Sequence, residues 1–493
     1  MTPITLTSSE STTTTGENLP EIWQHAMEIT PPPLLALTPA QQQAIDFCWP
    51  SADVETEFFE AERMTALGVD LTRYAHVESC EFFQPIISRT NRELYWAMVK
   101  AYSTSAFAKI IGKAPSPSMI THIVTTRCNY SCGFCSFADT LNVKTAELSL
   151  AEIEKVYATI GENLNTIVYS GGETTLNNDL AEIIEAAYRL TPVKSIYIIS
   201  NAWKPDRLFQ ITHRVMQRCP GLHLTWSLSI EGPKAYNNAA RHTKKPGWDA
   251  WQNTIDTMFG LMRMREKFGY KELDTQLCTV CSPDNTPVMD EWYAFVRDVI
   301  KPDKWNLNLM RKSVQMNSVD FASYDQRRQT GRLEPFERKY LKVTRQVKAD
   351  VLSGKLRFLY HTRTHADGAL KSAVDLLSQD ANSQTLTGRG KPSFCCKAGT
   401  LGGFIGSEGE VAGCEEFAMN PNAAANKSFG NLREANYDFQ ALWQGEKARK
   451  LRNQAGKADE CRGCTLESQR NYPAILTSPH SFADAMLLAT RIK

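Results

Sequence analysis

Cys128, Cys132 and Cys135 stand in the run Cys-Asn-Tyr-Ser-Cys-Gly-Phe-Cys, just after the apolar, strand-like stretch Met119 to Val124. Three thiolates at this C-x3-C-x2-C spacing can hold three irons of a [4Fe–4S] cluster. Such clusters normally take four cysteines, so something else must occupy the last iron. Zinc motifs use paired C-x2-C or Cys/His sets rather than an isolated triplet. The chain has 13 cysteines in 493 residues. In a short secreted protein they would suggest disulfides; here, with no basic-then-apolar start, they point to metal binding.

The length allows two or three domains with sizeable cores. Hydrophobic content of 42% and charged content of 22% are those of an ordinary globular protein. A formal net charge of +1 leaves no basic footprint for nucleic acid. No apolar run is long enough to span a bilayer. The expectation is a soluble, cytoplasmic protein with neither a nucleic-acid nor a membrane partner.

From about Pro117 to Arg311, strand-like and helix-like patterns alternate, which predicts βα units and a parallel sheet. The expected strands are Met119–Val124, Thr166–Ser170, Ser195–Ser200, Leu224–Ser229, Thr275–Cys281 and Trp305–Met310. Helices are expected to begin near Ser149 (with Glu152 a capping box), Asn178, Pro205, Gly247 and Pro287. The fold class is therefore α/β, with domains expected over 116–325 for the sheet, 326–392 for linking helices and 393–493 for a small C-terminal module. Arg327 to Lys355 reads as a charged helix and Gln379 to Pro392 as a polar linker. Residues 1–18 read as a disordered tail and 19–115 as a helical extension, with helices opening at Thr38 and over Val54–Leu67 and Glu93–Ile111.

The strand Thr166 to Ser170 ends in Gly171-Gly172-Glu173, and Ser195 to Ile199 ends in Ser200-Asn201. Leu224 to Ser229 runs into Ile230-Glu231-Gly232-Pro233. Together with the triplet and Phe134 before its last cysteine, these strand ends resemble the radical S-adenosylmethionine (radical SAM) superfamily. The resemblance implies a partial, laterally open (βα)6 barrel with its site at the C-terminal ends of the strands. It implies a cluster on Cys128, Cys132 and Cys135 whose open iron is chelated by the methionine end of SAM. Phe134, Gly171, Gly172, Glu173, Ser200, Asn201, Ser229 and Glu231 are then the cofactor-binding residues, with Glu173 accepting a bond from the methionine amino group. Glu231 stands where aspartate is commoner in the family. Arg241 matches a frequent arginine, read either as a carboxylate clamp or as a salt bridge.

Cys396, Cys414, Cys461 and Cys464, with Cys395 adjacent, crowd the last hundred residues. With Phe394-Cys-Cys-Lys-Ala-Gly399 and Gly430-Asn431-Leu432-Arg433-Glu434, they resemble the auxiliary-cluster domains called SPASM and twitch. Full SPASM domains carry seven cysteines; this chain has none after Cys464. The implied count is one auxiliary [4Fe–4S] cluster on Cys396, Cys414, Cys461 and Cys464, with a structural zinc on the same set as the alternative.

Cys278 and Cys281 lie in a predicted strand, so small buried hydrophobes are the default; Cys281, nearer the strand end, is the candidate hydrogen-atom donor. Asn306 and Asn308 share one strand face and are candidate pocket residues, while His122 reads as a core histidine. The chemistry implied by the resemblance is reductive cleavage of SAM to a 5′-deoxyadenosyl radical and hydrogen abstraction from an unactivated C–H bond. A low-potential donor such as flavodoxin or ferredoxin is the implied partner. The substrate reading is a peptide or other natural product in maturation. The alternatives are a dehydrogenase or epimerase of a small hydroxylated metabolite and, from another class, a non-catalytic iron–sulfur or zinc protein.

Overall fold

β-Branched and aromatic runs become strands where the sequence places them: β1 (Met119–Thr125), the short β2 (Tyr130–Cys132), β3 (Thr166–Gly171), β4 (Ser195–Ser200), β5 (His223–Ser229), the short β6 (Arg241–Thr243), β7 (Leu273–Cys281) and β8 (Lys304–Leu309). A computed structural model describes residues 113–492 except 139, 145, 244–247, 312–332, 357–364, 388–395, 419–426, 459–460 and 462–463. The expected tail over 1–18, the helical extension up to residue 112 and Cys48, Cys80 and Cys395 lie outside the described residues.

Strands β1, β3, β4, β5, β7 and β8 pair in that order, all parallel. Parallel neighbours need crossovers, and helices α1 (Leu150–Tyr157), α2 (Leu180–Leu190), α3 (Pro205–Arg218), α4 (Lys234–Ala240), α5 (Ala250–Phe268) and α6 (Met289–Phe295) fall between them. All six expected strands are present, and the sheet leaves its two edges unpaired with each other.

Alternation gives the sheet two unlike faces. One packs on helices: Trp226 bonds Thr212 of α3 at 2.7 Å, and the indoles of Trp292 and Trp305 both reach Thr279 at 3.0 Å. The opposite, interior face carries polar uncharged groups, among them Ser227, Gln276, Asn306 and Asn308. Gln276 donates to Ser227 at 2.9 Å across β5 and β7.

The C-terminal segment is not a detached module. β9 (Gly402–Ile405) pairs parallel to β1, β10 (Glu410–Ala412) pairs antiparallel to β9, and β11 (Gly430–Asn431) follows, so all three extend the same sheet past β1. Among the described residues two helices lie between β8 and β9: α7 (Pro335–Ser353) and α8 (His365–Thr387). The second corrects the expected polar linker, since α8 runs through Gln379 to Thr387. Its polar residues find tertiary partners: Asn471 donates to Asn382 at 2.9 Å and to Ser378 at 3.0 Å. Polarity alone suggested solvent where the structure supplies buried hydrogen bonds.

Arg433, in the Gly430–Glu434 run, clamps this extension to α1. Its guanidinium donates to both oxygens of Glu152 at 2.8 and 3.1 Å and to the carbonyls of Ala146 and Glu147 at 2.8 and 3.1 Å. Glu152 also accepts from the Ser149 amide at 2.9 Å, completing the capping box expected from the sequence. Arg433, ahead of these capping bonds, holds the Glu152 carboxyl well below the usual carboxylate range. Arg433→Ala is expected to cost about 1–2 kcal/mol at neutral pH, discounted for the partial exposure of the pair. A depressed carboxylate contributes above its unfolded pKa, about 4.3, and the contribution is lost as pH falls below that. Denaturant titrations of both proteins should therefore converge in acid.

Candidate active site

The three clustered cysteines occupy the loop leaving the C-terminal end of β1. Asn142, with a positive φ of 59°, grips the first: its side chain donates to the Cys128 carbonyl at 3.0 Å and accepts from the Cys128 amide at 2.9 Å. β2 then pairs antiparallel with β6, setting Cys132 opposite Arg241, and the Cys135 amide donates back to the Cys132 carbonyl at 3.2 Å. Burial pushes the Cys128 thiol up to about 12 and Cys132 to about 11, and the neighbouring thiols add to the rise. The three thiols are thus electrostatic neighbours.

Arg241 lies against this loop. Its guanidinium is 3.9 Å from the Cys132 sulfur and 5.4 Å from the Phe134 ring centroid. It donates to Glu231 Oε1 at 2.5 and 3.1 Å, and Glu231 Oε2 accepts from the Val280 amide at 2.6 Å. Both side chains are buried, so each charge depends on the other. The carboxylate that Arg241 clamps in this structure is the chain's own Glu231.

Glu173 is 1% exposed and accepts four hydrogen bonds. Oε1 takes them from the Thr175 amide at 3.1 Å, the Thr175 hydroxyl at 2.5 Å and Ser200 at 2.8 Å; Oε2 takes one from the Asn201 amide at 2.6 Å. The carboxylate therefore ties the end of β3 to the end of β4. Asn201 in turn donates to Asn129 of the cysteine loop at 3.0 Å. The glycines before Glu173 serve the same junction. A Cβ on Gly171, whose φ is +138°, would lie 2.2 Å from the Thr125 carbonyl oxygen, and one on Gly172 would lie 2.1 Å from that of Arg127. The close approach they permit is to the backbone of the loop's base.

Cys396, Cys414, Cys461 and Cys464 pack in one cluster with Ala398, Phe417 and Leu466. Three of the sulfurs face a backbone amide: Ala398 donates to Cys396 at 3.5 Å, Gly456 to Cys461 at 3.3 Å and Leu466 to Cys464 at 3.4 Å. Burial, then Cys396, raises the Cys414 thiol well above its ordinary value, with Cys464 adding to the rise. Among the described residues no three His, Cys, Asp or Glu side chains converge on one point as ligands of a single ion would. An iron–sulfur cluster spreads its ligands over several irons, and amide donors to sulfur are among the features that set its potential. Both cysteine sets fit such a group.

The family model of the Radical SAM superfamily matches residues 122–263, and that of the iron–sulfur cluster-binding SPASM domain matches 395–465. The chain carries a radical SAM domain and a SPASM domain. The first implies a [4Fe–4S] cluster and SAM, the second auxiliary iron–sulfur binding. No curated protein matches the sequence. Solved structures that resemble the chain include Streptococcus suis SuiB bound to S-adenosylmethionine, with 14% identity, a TM-score of 0.45 and 76% of each chain covered. Others are anSMEcpe with bound AdoMet (15%, 0.45, 76% of this chain and 93% of that one) and BtrN in complex with AdoMet and 2-DOIA (13%, 0.34, 73% and 99%). No helix among the described residues is long and apolar enough to cross a membrane.

Along β7, one expectation is corrected. Cys281 is fully buried on the helix-packed face, where its thiol donates to the Phe336 carbonyl of α7 at 3.4 Å. The odd positions of β7 face the helices, so the interior thiol is Cys278, which accepts from Asn308 at 3.2 Å. Ser229 registers with Cys278 on the same face. His122 is a core residue, bonded to Tyr157 at 2.8 Å. Sequence reasoning missed Asn142, Asn129, Thr175 and the aromatic group beside the loop, in which Trp248 donates to Tyr130 at 2.9 Å and Trp203 to Thr175 at 3.1 Å. Asparagine's tolerance of positive φ was the one local signal for Asn142.

Glu173→Ala would leave the Ser200 and Thr175 hydroxyls and the Thr175 and Asn201 amides without their acceptor. The cofactor-free protein is expected to lose about 3 kcal/mol, by the cost of stranding several buried donors. Urea unfolding without SAM checks this; wild-type stability in the variant would confine Glu173 to ligand contact.

Proposed function

We propose that this protein is a radical SAM enzyme that abstracts hydrogen from an unactivated C–H bond during maturation of a peptide or other natural product. The observation that carries the reading is the Cys128–Cys132–Cys135 loop at the C-terminal end of a parallel sheet, bordered by three strand ends that Glu173, Asn201 and Glu231 lock in place. Cys128, Cys132 and Cys135 would hold the SAM-binding cluster, and Cys396, Cys414, Cys461 and Cys464 the auxiliary one. Phe134, Gly171, Gly172, Glu173, Ser200, Asn201, Ser229, Glu231 and Arg241 form the surrounding cofactor site. When bound, the cluster and SAM supply one-electron reductive cleavage to a 5′-deoxyadenosyl radical.

In this reading the chain's own residues position and protect. Arg241 offsets thiolate charge at Cys132 while Glu231 prevents that cation from standing alone in a buried site. Trp203, Trp248 and Tyr130 place apolar rings beside the loop, which limits water near it. The interior amides of Gln276, Asn306 and Asn308 can donate to and accept from peptide groups, which supports a peptide substrate. Electrons would come from a low-potential protein such as flavodoxin or ferredoxin. The domain limits proposed are 116–325, 326–392 and 393–493, with the last joined to the first through β9.

A second reading, a dehydrogenase or epimerase of a small hydroxylated metabolite, is favoured by Cys278, whose interior thiol can return a hydrogen atom to a substrate carbon. In the epimerase case product made in D2O should carry deuterium at the inverted carbon, and Cys278→Ala should abolish its incorporation; a dehydrogenase returns no hydrogen there and would leave the carbon unlabelled.

Anaerobically reconstituted protein is expected to bind about eight irons, and the Cys128/Cys132/Cys135 triple alanine variant about four. SAM with a strong reductant should then yield 5′-deoxyadenosine without substrate. Intact clusters that never cleave SAM would refute the enzyme reading, and stoichiometric zinc at the C-terminal set would replace the auxiliary cluster.

A further inference from the structure

β8 and the β9–β11 extension stand toward opposite ends of the sheet order, with no backbone pairing between them. Arg311, just beyond the end of β8, reaches across that interruption. Its Nη1 donates to Glu415 and, at 2.8 Å, to Glu416, the two residues that directly follow Cys414. Glu415 is only 8% exposed and Arg311 30%, so this is a partly buried pairing rather than a loose surface contact. One cation therefore ties the chain just beyond β8 to the two carboxylates that directly follow Cys414.

We propose that Arg311 is a positioning residue that straps the Cys414 segment across the open edge of the barrel, holding the auxiliary cysteines at a set separation from the triplet and offsetting the charge of Glu415 and Glu416 beside them. Strand pairing ties β10 to β9 and β9 to β1 and ends at Ala412, and one further backbone bond, from the Gly399 amide to the Gly413 carbonyl at 3.2 Å, precedes Cys414. The ion pairs at Glu415 and Glu416 take over beyond that point. The consequence for the auxiliary cluster rests on the function proposed above; the strap itself does not, and the two parts can be tested apart.

Hydrogen–deuterium exchange on the full-length protein without metal reads the strap. Arg311→Gln should speed exchange of the 410–418 segment about tenfold while leaving β4 and β5 unchanged, because hydrogen-bonded segments open independently. Unchanged exchange over 410–418 would overturn the strap. Should that variant fail to fold, Glu416→Gln, which keeps Glu415 as a partner, should give a rise of about threefold over the same segment, and none would count equally against it. Charge compensation is read separately, by titrating the auxiliary cluster with a reductant under electron paramagnetic resonance. Loss of a cation makes adding an electron harder, so Arg311→Gln should lower the auxiliary potential, Arg311→Lys should restore most of the shift, and Arg311→Gln/Glu416→Gln should restore part of it. An auxiliary potential identical in Arg311→Gln and wild type would refute the electrostatic role. Protein that takes up no iron would refute the proposed function instead, leaving the exchange result to stand.

Discussion

The end of β3 lies so close to the end of β1 that neither Gly171 nor Gly172 has room for a side chain. That approach lets the Gly172 amide donate to the Thr125 carbonyl at 2.9 Å and the Glu173 amide to that of Arg127 at 2.7 Å. These two bonds fix the root of the cysteine loop one residue before Cys128. Everything built above depends on them. Glu173 can hold Ser200 and Asn201 only because its own backbone is anchored to the loop, and Asn201 can then return a bond to Asn129. The junction is a closed circuit through β1, β3 and β4.

Two buried carboxylates do this work in different ways. Among the described residues Glu173 is met by hydroxyls and amides, and burial outweighs them enough to push its carboxyl up. Glu231 is met by a cation, Arg241, in a buried pair whose partners would each be costly alone. Its longer side chain, relative to the aspartate commoner at this position, lets one oxygen reach Arg241 while the other meets the Val280 amide of β7. A residue that departs from the family's habit therefore has a local physical use, linking the strand end of β5 to β6 and β7.

The interior face continues this economy at the other end of β8. Lys304 pairs with Asp375 of α8 at 3.2 Å, and burial pushes Glu467, which lies close by, up to about 7. Charged groups thus gather at both ends of the strand, Lys304 at its start and Arg311 beyond its close. Between them the face carries the neutral amides of Asn306 and Asn308. An open sheet has two unpaired edges to manage. Here one is extended by β9–β11, and the other is covered through side-chain contacts to the segments that follow it.

Much of this was legible in the chain because it rests on short-range chemistry. The six strands follow from β-branched and aromatic runs, the α1 start from Ser149 and Glu152, and both cysteine sets from spacing and count. Other features were not legible because they depend on which side of an element meets which neighbour. Cys278 and Cys281 sit in the same strand, and only the packing of α7 against β7 decided that Cys281 is buried and Cys278 faces inward. The polarity of Gln379 to Thr387 pointed to a linker until Asn471 and Glu467 were brought alongside it. The C-terminal cysteines announced a module, but not that its strands would pair with β1, because a parallel pairing between residues almost three hundred positions apart leaves no local trace. The sequence by itself determined the strands, the helix cap and the two sets of thiols, since each depends on a few neighbouring residues. The tertiary structure alone decided their facing, their partners and their separation, since those depend on contacts between segments that the chain keeps far apart.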